Sequence, residues 1–361
     1  MIKKALIAMS GGVDSSVSAA LMREKEYDCV GVTMKLHGNE EIEVSAENSC
    51  CTVSDVEDAR KVAQSLSMDF FLYDFTDEFK EKVIDRFIRS YEIGATPNPC
   101  IDCNRYMKFS RLFTKAKELE CDYIVTGHYA RIEFDESRNR WLLKKAKNTT
   151  KDQSYVLYFL SQEQLSHTIF PLGEFESKDD VRSFAEKYDF INASKHDSQD
   201  ICFVPDGDYA AFIEKITGKT YPNGSFIDTD GNILGEHKGI IRYTIGQRKG
   251  LGLALPAPMY VRKKDLENNT VILTDEKSLY STTLIADDFN WISRENPTEP
   301  LKVTAKPRYR AKDAPATAYP LENGQVKIVF DAPQRAITVG QAVVIYDGDI
   351  VAGGGTIIKT E

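Results

Sequence analysis

The chain has 361 residues, of which 42% are hydrophobic and 28% charged, and a formal net charge of −9. This composition excludes wholesale disorder, and the length predicts two or three domains instead of one core. No apolar run approaches the roughly 18 residues of a membrane span, and the opening MIKKALIAMSGG runs into glycines instead of a cleavage site, so a soluble cytoplasmic protein with no membrane partner is expected.

Residues 2–9 read as a short buried strand that stops at Gly11-Gly12, and Ser15 to Arg23 as a helix with Val17, Ala20 and Leu21 on one side. A second strand fits Cys29–Met34. Ser54–Ser67 opens with Ser54 and has Glu57 three residues on, a capping-box spacing before a helical run. Phe70–Tyr73 is strand-like, Glu78–Glu92 and Phe109–Leu119 are helical, and Asp122–Thr126 is another buried strand. Strands alternating with helices predict an α/β domain with a doubly wound parallel sheet over residues 1–202. Beyond Cys202, turn dipeptides such as Asn223-Gly224, Asp230-Gly231 and Asn323-Gly324 separate short β-branched runs (Thr270–Leu273, Gln325–Phe330, Ala342–Tyr346). That texture predicts a small central domain of mixed character over 203–280 and an antiparallel β-barrel over 281–361. Gly353-Gly354-Gly355 has no helix after it and reads as a closing strand or bulge.

The acidity is uneven. Lys238 to Lys312 holds fourteen Lys/Arg against eight Asp/Glu, and the stretches 238–264 and 302–312 are acid-free. Two basic stretches in an acidic chain point to a localised surface for a phosphate backbone, against the plainer reading of solvated strand faces.

The strongest local signal is Ser10-Gly11-Gly12-Val13-Asp14-Ser15-Ser16, between a strand and a helix. Glycines let consecutive N–H groups close on phosphate oxygens, the helix N-terminus adds its positive dipole end, and the serines add donors. Without Gly-Lys-Ser/Thr it is not a Walker A loop. It resembles the pyrophosphate loop of the ATP pyrophosphatase superfamily, which adenylates a carbonyl oxygen and releases pyrophosphate. That resemblance implies ATP with Mg²⁺, with Asp14 a contributor to the ion's shell.

Seven cysteines (Cys29, Cys50, Cys51, Cys100, Cys103, Cys121, Cys202) are few and odd in number, which argues against a disulfide scaffold. Cys29 and Cys121 flank strands and read as small hydrophobes; Cys50-Cys51 lies in a polar loop and receives no role. Thr96-Pro97-Asn98-Pro99-Cys100-Ile101-Asp102-Cys103-Asn104 and Ser198-Gln199-Asp200-Ile201-Cys202-Phe203 stand out, because paired thiols can carry and transfer sulfane sulfur. A structural zinc site fits poorly, since no second C-x-x-C or paired His supplies two more ligands. Pro97 and Pro99 favour extended geometry in a segment that presents a thiol.

Together with Gly127-His-Tyr-Ala, Lys151-Asp-Gln-Ser-Tyr-Val-Leu and Gly246-Gln-Arg-Lys-Gly-Leu-Gly, these segments resemble, in order and over essentially the whole chain, the bacterial tRNA-specific 2-thiouridylase family. The resemblance implies an N-terminal fold of the adenine nucleotide alpha hydrolase type, a small central domain and a C-terminal barrel. It implies ATP-dependent 2-thiolation of uridine 34 in tRNAs for Lys, Glu and Gln. A cysteine desulfurase or sulfur-relay protein would be the sulfur donor. By match, Cys103 would be the nucleophile and Cys202 the persulfide carrier, with a Cys103–Cys202 disulfide in turnover. Ala8, Met9, Ser10, Gly11, Gly12, Val13, Asp14, Ser15, Met34 and Gly127 would bind ATP. Asn98, Pro99 and Cys100 would touch the target base, and His128, Lys151, Asp152, Gln153, Tyr309, Arg310 and Gln341 the tRNA.

Many family members have Asp where this chain has Cys100, which leaves the base for the neighbouring thiol unassigned; Asp102 is close but not at the matching position. Three thiols, Cys100, Cys103 and Cys202, also open an iron–sulfur variant in which they hold a [4Fe–4S] cluster. Two other readings stand beside the leading one. An ATP pyrophosphatase acting on a small molecule would need no thiol pair. A non-catalytic tRNA- or iron–sulfur-binding protein would carry a vestigial ATP site. Leu36–Asn48, polar and acidic, is expected to be a mobile segment that orders when tRNA docks.

Overall fold

The computed structural model describes residues 2–38, 53–195, 201–204 and 207–361. Cys50, Cys51, most of the segment 36–48, His196 and Ser198–Asp200 lie outside the described residues. Among the described residues no helix is long and apolar enough to cross a membrane.

The first layer is a five-stranded parallel sheet built from β1 (Lys4–Ala8), β2 (Asp28–Lys35), β3 (Asp69–Asp74), β4 (Tyr123–Val125) and a short strand at Thr168–Ile169, in the order β3-β2-β1-β4 and then the short strand. Helix α1 (Val13–Glu24) follows β1, and α2 (Val53–Ser65) leads into β3. Ser54 lies inside the first turn of α2, not ahead of it, so the expected capping box is not what starts this helix; Glu57 instead approaches Arg60 at 3.5 Å. The expected helix Phe109–Leu119 is only the end of a longer one. It starts at Pro99, passes through a π-helical stretch at Cys103–Arg111, and finishes as α-helix at Leu112–Glu118. Helix breakers in the sequence mark its start but nothing local marks the π stretch.

Two core clusters sandwich the sheet. On one face α1, α2 and the helix Lys178–Lys187 bury Val13, Val17, Val62 and Val181. On the other, Leu6, Val32, Phe79, Phe87 and Met107 merge through Phe203 with Phe212, Phe226, Val261 and Leu273 of the following segment. The smaller module there pairs four strands, Tyr260–Asp265, Thr270–Thr274, Gly224–Ile227 and Ile233–His237, beside the helix Tyr209–Thr217. Lys264, counted among the basic residues at sequence level, is buried there, with its ammonium 5.8 Å from the Tyr91 ring centre. Burial pushes its pKa down to about 8, which removes Lys264 from any nucleic-acid surface.

Six strands then close a barrel: Tyr280–Trp291, Val326–Arg335, Ala314–Pro320, Leu301–Lys306, Ala342–Asp347 and Ile350–Thr360, the last pairing back on the first. The three glycines of the last strand are buried against that first strand and against a ring. A Cβ at Gly353 would meet Asn290 O at 2.5 Å, one at Gly355 would meet Asp287 O at 2.7 Å, and one at Gly354 would meet the Tyr158 ring at 2.7 Å. The closing-strand reading of these glycines therefore holds.

The sequence pattern does not announce how the barrel docks. A hairpin of Ala130–Asp135 and Arg140–Lys145, which interrupts the parallel domain, extends the barrel sheet through Ile350↔Lys144. Arg131 pairs with Asp349 at 2.6 Å, and Lys145 with Asp313. Tyr155 donates to Ala342 O at 2.8 Å from a cluster that joins Ile101, Phe109 and Leu160 to Val344 and Val351. Gly354→Val is expected to lower unfolding stability by about 1–3 kcal/mol, as overpacking does; urea titration checks this, and an unchanged midpoint would contradict the close approach.

Candidate active site

A parallel sheet ordered 3-2-1-4 changes direction between β1 and β4, and ligands settle outside the carboxyl ends of the strands at that point. β1 ends there in Met9–Gly12 and β4 in Thr126-Gly127-His128. Gly11 has φ +75°, and a Cβ on it would lie 2.3 Å from Asp55 O, so only glycine fits. Gly12 occupies the N-cap of α1 without a side-chain cap, which leaves first-turn N–H groups facing outward for an anion. Ser15 Oγ donates to Gly12 O at 2.9 Å and accepts from Ser10 N at 3.2 Å, holding the loop closed. A Cβ on Gly127 would stand 3.0 Å from Asp14 and Ser15, so β4 is pressed against the loop. Met34, at the carboxyl end of β2, is buried nearby in sequence terms to Leu36.

Several residues that sequence reasoning missed complete this loop. Lys178 donates to Asp14 Oδ1 at 2.6 Å, and Tyr129 OH donates to the same oxygen at 2.7 Å. Asn192, buried, donates to Gly11 O and Ser16 Oγ, both at 2.9 Å, while its own Oδ1 is buried with no partner among the described residues. Lys195 bridges Asp55 at 2.5 Å and Asp58 at 2.9 Å. Nothing local in the sequence signals these roles, because each joins segments far apart in the chain.

The cysteine helix leads into β4, and its last part (Leu112–Glu118) packs on β4 and β1. A helix that leads into a parallel strand runs antiparallel to it, with its N-terminus toward the carboxyl edge. Asn98 caps it, accepting from Cys100 N at 3.2 Å. Cys100 is exposed and Cys103 half-buried at the start of the π stretch. Cys103 and the half-buried Cys202 both pack on the rim of the cluster that contains Phe79, Phe87 and Phe203. Asp102 sits between the thiols in sequence, and burial raises its pKa against the pull of Arg86 at 3.5 Å. Cys29 and Cys121 are pushed up to about 11 by burial, which suits packing and not chemistry. Among the described residues no group of three or more His, Cys, Asp or Glu side chains is placed to hold a metal, so Cys100, Cys103 and Cys202 are not gathered into an iron-holding set.

The barrel grips the segment before the cysteines. Thr96 N donates to Val339 O at 3.0 Å, and Gln341 Nε2 donates to Thr96 O at 2.8 Å. Gly340, at φ +90°, leaves a Cβ-sized space only 2.9 Å from Ala95 Cβ. Arg105 pairs with Asp288 from the first barrel strand. The remaining positions separate into two groups. His128 is buried between Phe109 and Phe170 with Nδ1 2.6 Å from Thr126 Oγ1. Buried Asp152 accepts from Ala146 N at 3.0 Å and Ser154 Oγ at 2.9 Å, and Gln153 accepts from Tyr129 N at 2.9 Å. Tyr309 and Arg310 are exposed, with Tyr309 OH 3.4 Å from Asp152 O, and Lys151 is partly exposed.

The fold and loop define a nucleotide-binding α/β domain with a thiol-bearing helix at the same sheet edge. Residues 3–206 match the family described as tRNA methyl transferase HUP domain, residues 210–275 its PRC-barrel domain, and residues 281–357 the aminomethyltransferase beta-barrel domain. The tRNA-specific 2-thiouridylase MnmA of Clostridioides difficile is 53% identical over 100% of this chain and 99% of its own. That of Acetivibrio thermocellus is 52% identical over 98% and 99%, and that of Symbiobacterium thermophilum 50% over 98% and 92%. The chain belongs to the tRNA-specific 2-thiouridylase family.

Gln341→Ala removes a donor worth about 1 kcal/mol, so amide exchange at residues 96–104 is expected to speed up about fivefold with global stability little changed; unchanged exchange would contradict the grip. Burial holds the His128 pKa well below the ordinary value, with Lys108 adding to the effect. The native ring therefore stays neutral while the unfolded one takes a proton below about pH 6.5, and stability falls as pH drops through that value. His128→Phe is expected to flatten the loss between pH 7 and 5.5 by about 1 kcal/mol in denaturant titrations; parallel slopes would contradict this.

Proposed function

We propose that the chain is a tRNA-uridine 2-sulfurtransferase that uses ATP to thiolate uridine 34 of tRNAs for Lys, Glu and Gln. Roughly 50% identity to named 2-thiouridylases over the full length carries the reading. The pyrophosphate-type loop and the thiol helix at one sheet edge support it. Domains at 1–202, 203–280 and 281–361 divide the work into chemistry, spacing and RNA grip.

In this scheme Ala8 to Ser15, Met34 and Gly127 hold ATP, with the β and γ phosphates on the outward N–H groups of α1. Uridine O2 attacks the α-phosphorus and pyrophosphate leaves, giving an O-adenylylated base. Lys178 pairs with Asp14 at 2.6 Å and fixes its carboxylate beside the leaving group. Mg²⁺ arriving with the nucleotide would be held by phosphate oxygens and Asp14, and would supply charge neutralisation. Cys202, loaded by a cysteine desulfurase or relay protein, carries the persulfide. The Cys103 thiolate attacks the Cys202 sulfur bonded to carbon, forming a Cys103–Cys202 disulfide and releasing hydrosulfide. Hydrosulfide adds to C2, AMP departs with the oxygen, and an external dithiol reduces the disulfide. Asn98, Pro99 and Cys100 flank the base, and Lys151, Tyr309 and Arg310 offer the exposed RNA contacts. His128, Asp152, Gln153 and Gln341 shape those contacts through internal hydrogen bonds. A tRNA-modifying role fits a cytoplasmic enzyme. A [4Fe–4S] cluster on Cys100, Cys103 and Cys202 does not fit the described arrangement, and no step passes through one.

Cys103→Ser and Cys202→Ser are each expected to cut 2-thiouridine formation by at least about 10³-fold, while ATP-dependent adenylation persists. Mass spectrometry of tRNA nucleosides reads the first, pyrophosphate release the second. Full thiolation by either variant would overturn the scheme.

A further inference from the structure

A cavity of about 440 Å³ lies between the hairpin turn at 135–140 and the end of the first barrel strand, lined by Arg138, Asn139, Arg140, Ser293, Arg294 and Glu295. Ser293 is 1% exposed, and its hydroxyl has no hydrogen-bond partner among the described residues. The Arg294 Nε is likewise buried and unpartnered. Buried donors left unmade in a native structure call for a ligand or water to accept from them. Arg140 is braced by donation from its Nε to Ile292 O at 3.0 Å, which aims the rest of the guanidinium.

We propose that Arg138, Arg140, Arg294 and the Ser293 hydroxyl bind a backbone phosphodiester of the RNA substrate, an inference that rests on the tRNA reading above. The charges favour a diester over free phosphate. Asp135 and Asp347 approach Arg138 at 3.5 Å and 4.0 Å, and the exposed Glu295 approaches Arg140 at 3.8 Å. Three carboxylates nearly cancel the three guanidiniums, and with little net charge to offset burial a singly charged diester costs less to desolvate than a dianion. Arginine forks and a hydroxyl donor are the usual contacts to RNA phosphate oxygens. The first barrel strand carries Asp288, the partner of Arg105, and ends at Trp291, two residues before Ser293, so the thiol helix and the cavity adjoin the same barrel strand. The site adds a grip outside both acid-free basic stretches.

The test measures binding of unmodified substrate tRNA by fluorescence anisotropy across salt, with the full chain. Ser293→Ala is expected to weaken tRNA about three- to tenfold while its melting temperature stays equal or rises, since the variant only removes an unpaired hydroxyl. Arg138→Gln with Arg294→Gln is expected to weaken it at least about tenfold and to lower the slope of log K against log salt by about 1–2. ATP binding should not change in either. Wild-type affinity and slope in both variants would overturn the inference while leaving the thiouridylase reading intact. So would a site that binds inorganic phosphate in a Ser293-dependent way without affecting tRNA. A wild-type chain that neither binds nor thiolates tRNA would overturn both.

Discussion

The arrangement depends on the barrel's hold on the segment that starts the cysteine helix. The backbone of Thr96 has no partner in its own segment: its N–H donates to Val339 O and its carbonyl accepts from Gln341 Nε2, in a domain more than two hundred residues away. Gly340 is required because the two backbones approach too closely for a Cβ. With Arg105 held by Asp288 on the other side, the thiol helix is fixed at both flanks of Cys103. In the proposed scheme the barrel therefore positions the thiol helix as well as offering an RNA surface.

The two catalytic thiols of the proposed scheme share an apolar rim. Both lie on the rim of the apolar cluster that contains Phe79, Phe87 and Phe203; in that scheme apolar surroundings would shield a persulfide from water. Ionic order is concentrated a short way off, around the loop, where Lys178, Asp14, Lys195, Asp55 and Asp58 form close pairs. In the proposed scheme a charged nucleotide cradle and an apolar rim for the thiols serve the two chemistries.

Much of this was legible in the sequence. The glycine loop, the alternation of strands and helices, and the turn-rich C-terminal third each rest on local rules, and these gave the parallel sheet and barrel. Gly353–Gly355 likewise read correctly as strand, since a glycine run without a following helix has little other use. Long-range contacts were not legible. The hairpin at 130–145 looks like any pair of short strands, yet it joins the barrel sheet. Lys264 looks like surface charge, yet it is buried beside Tyr91. Lys178 and Asn192 carry no motif, because the loop they complete lies more than one hundred and sixty residues upstream.

The central claim is that Cys103 and Cys202 meet during turnover. A bifunctional thiol reagent such as dibromobimane, which fluoresces only when it bridges two sulfurs, tests this in a chain whose other five cysteines are replaced. The account predicts a bridged product that needs both residues and forms faster with tRNA and a non-hydrolysable ATP analogue. No bridging in any ligand state would contradict it.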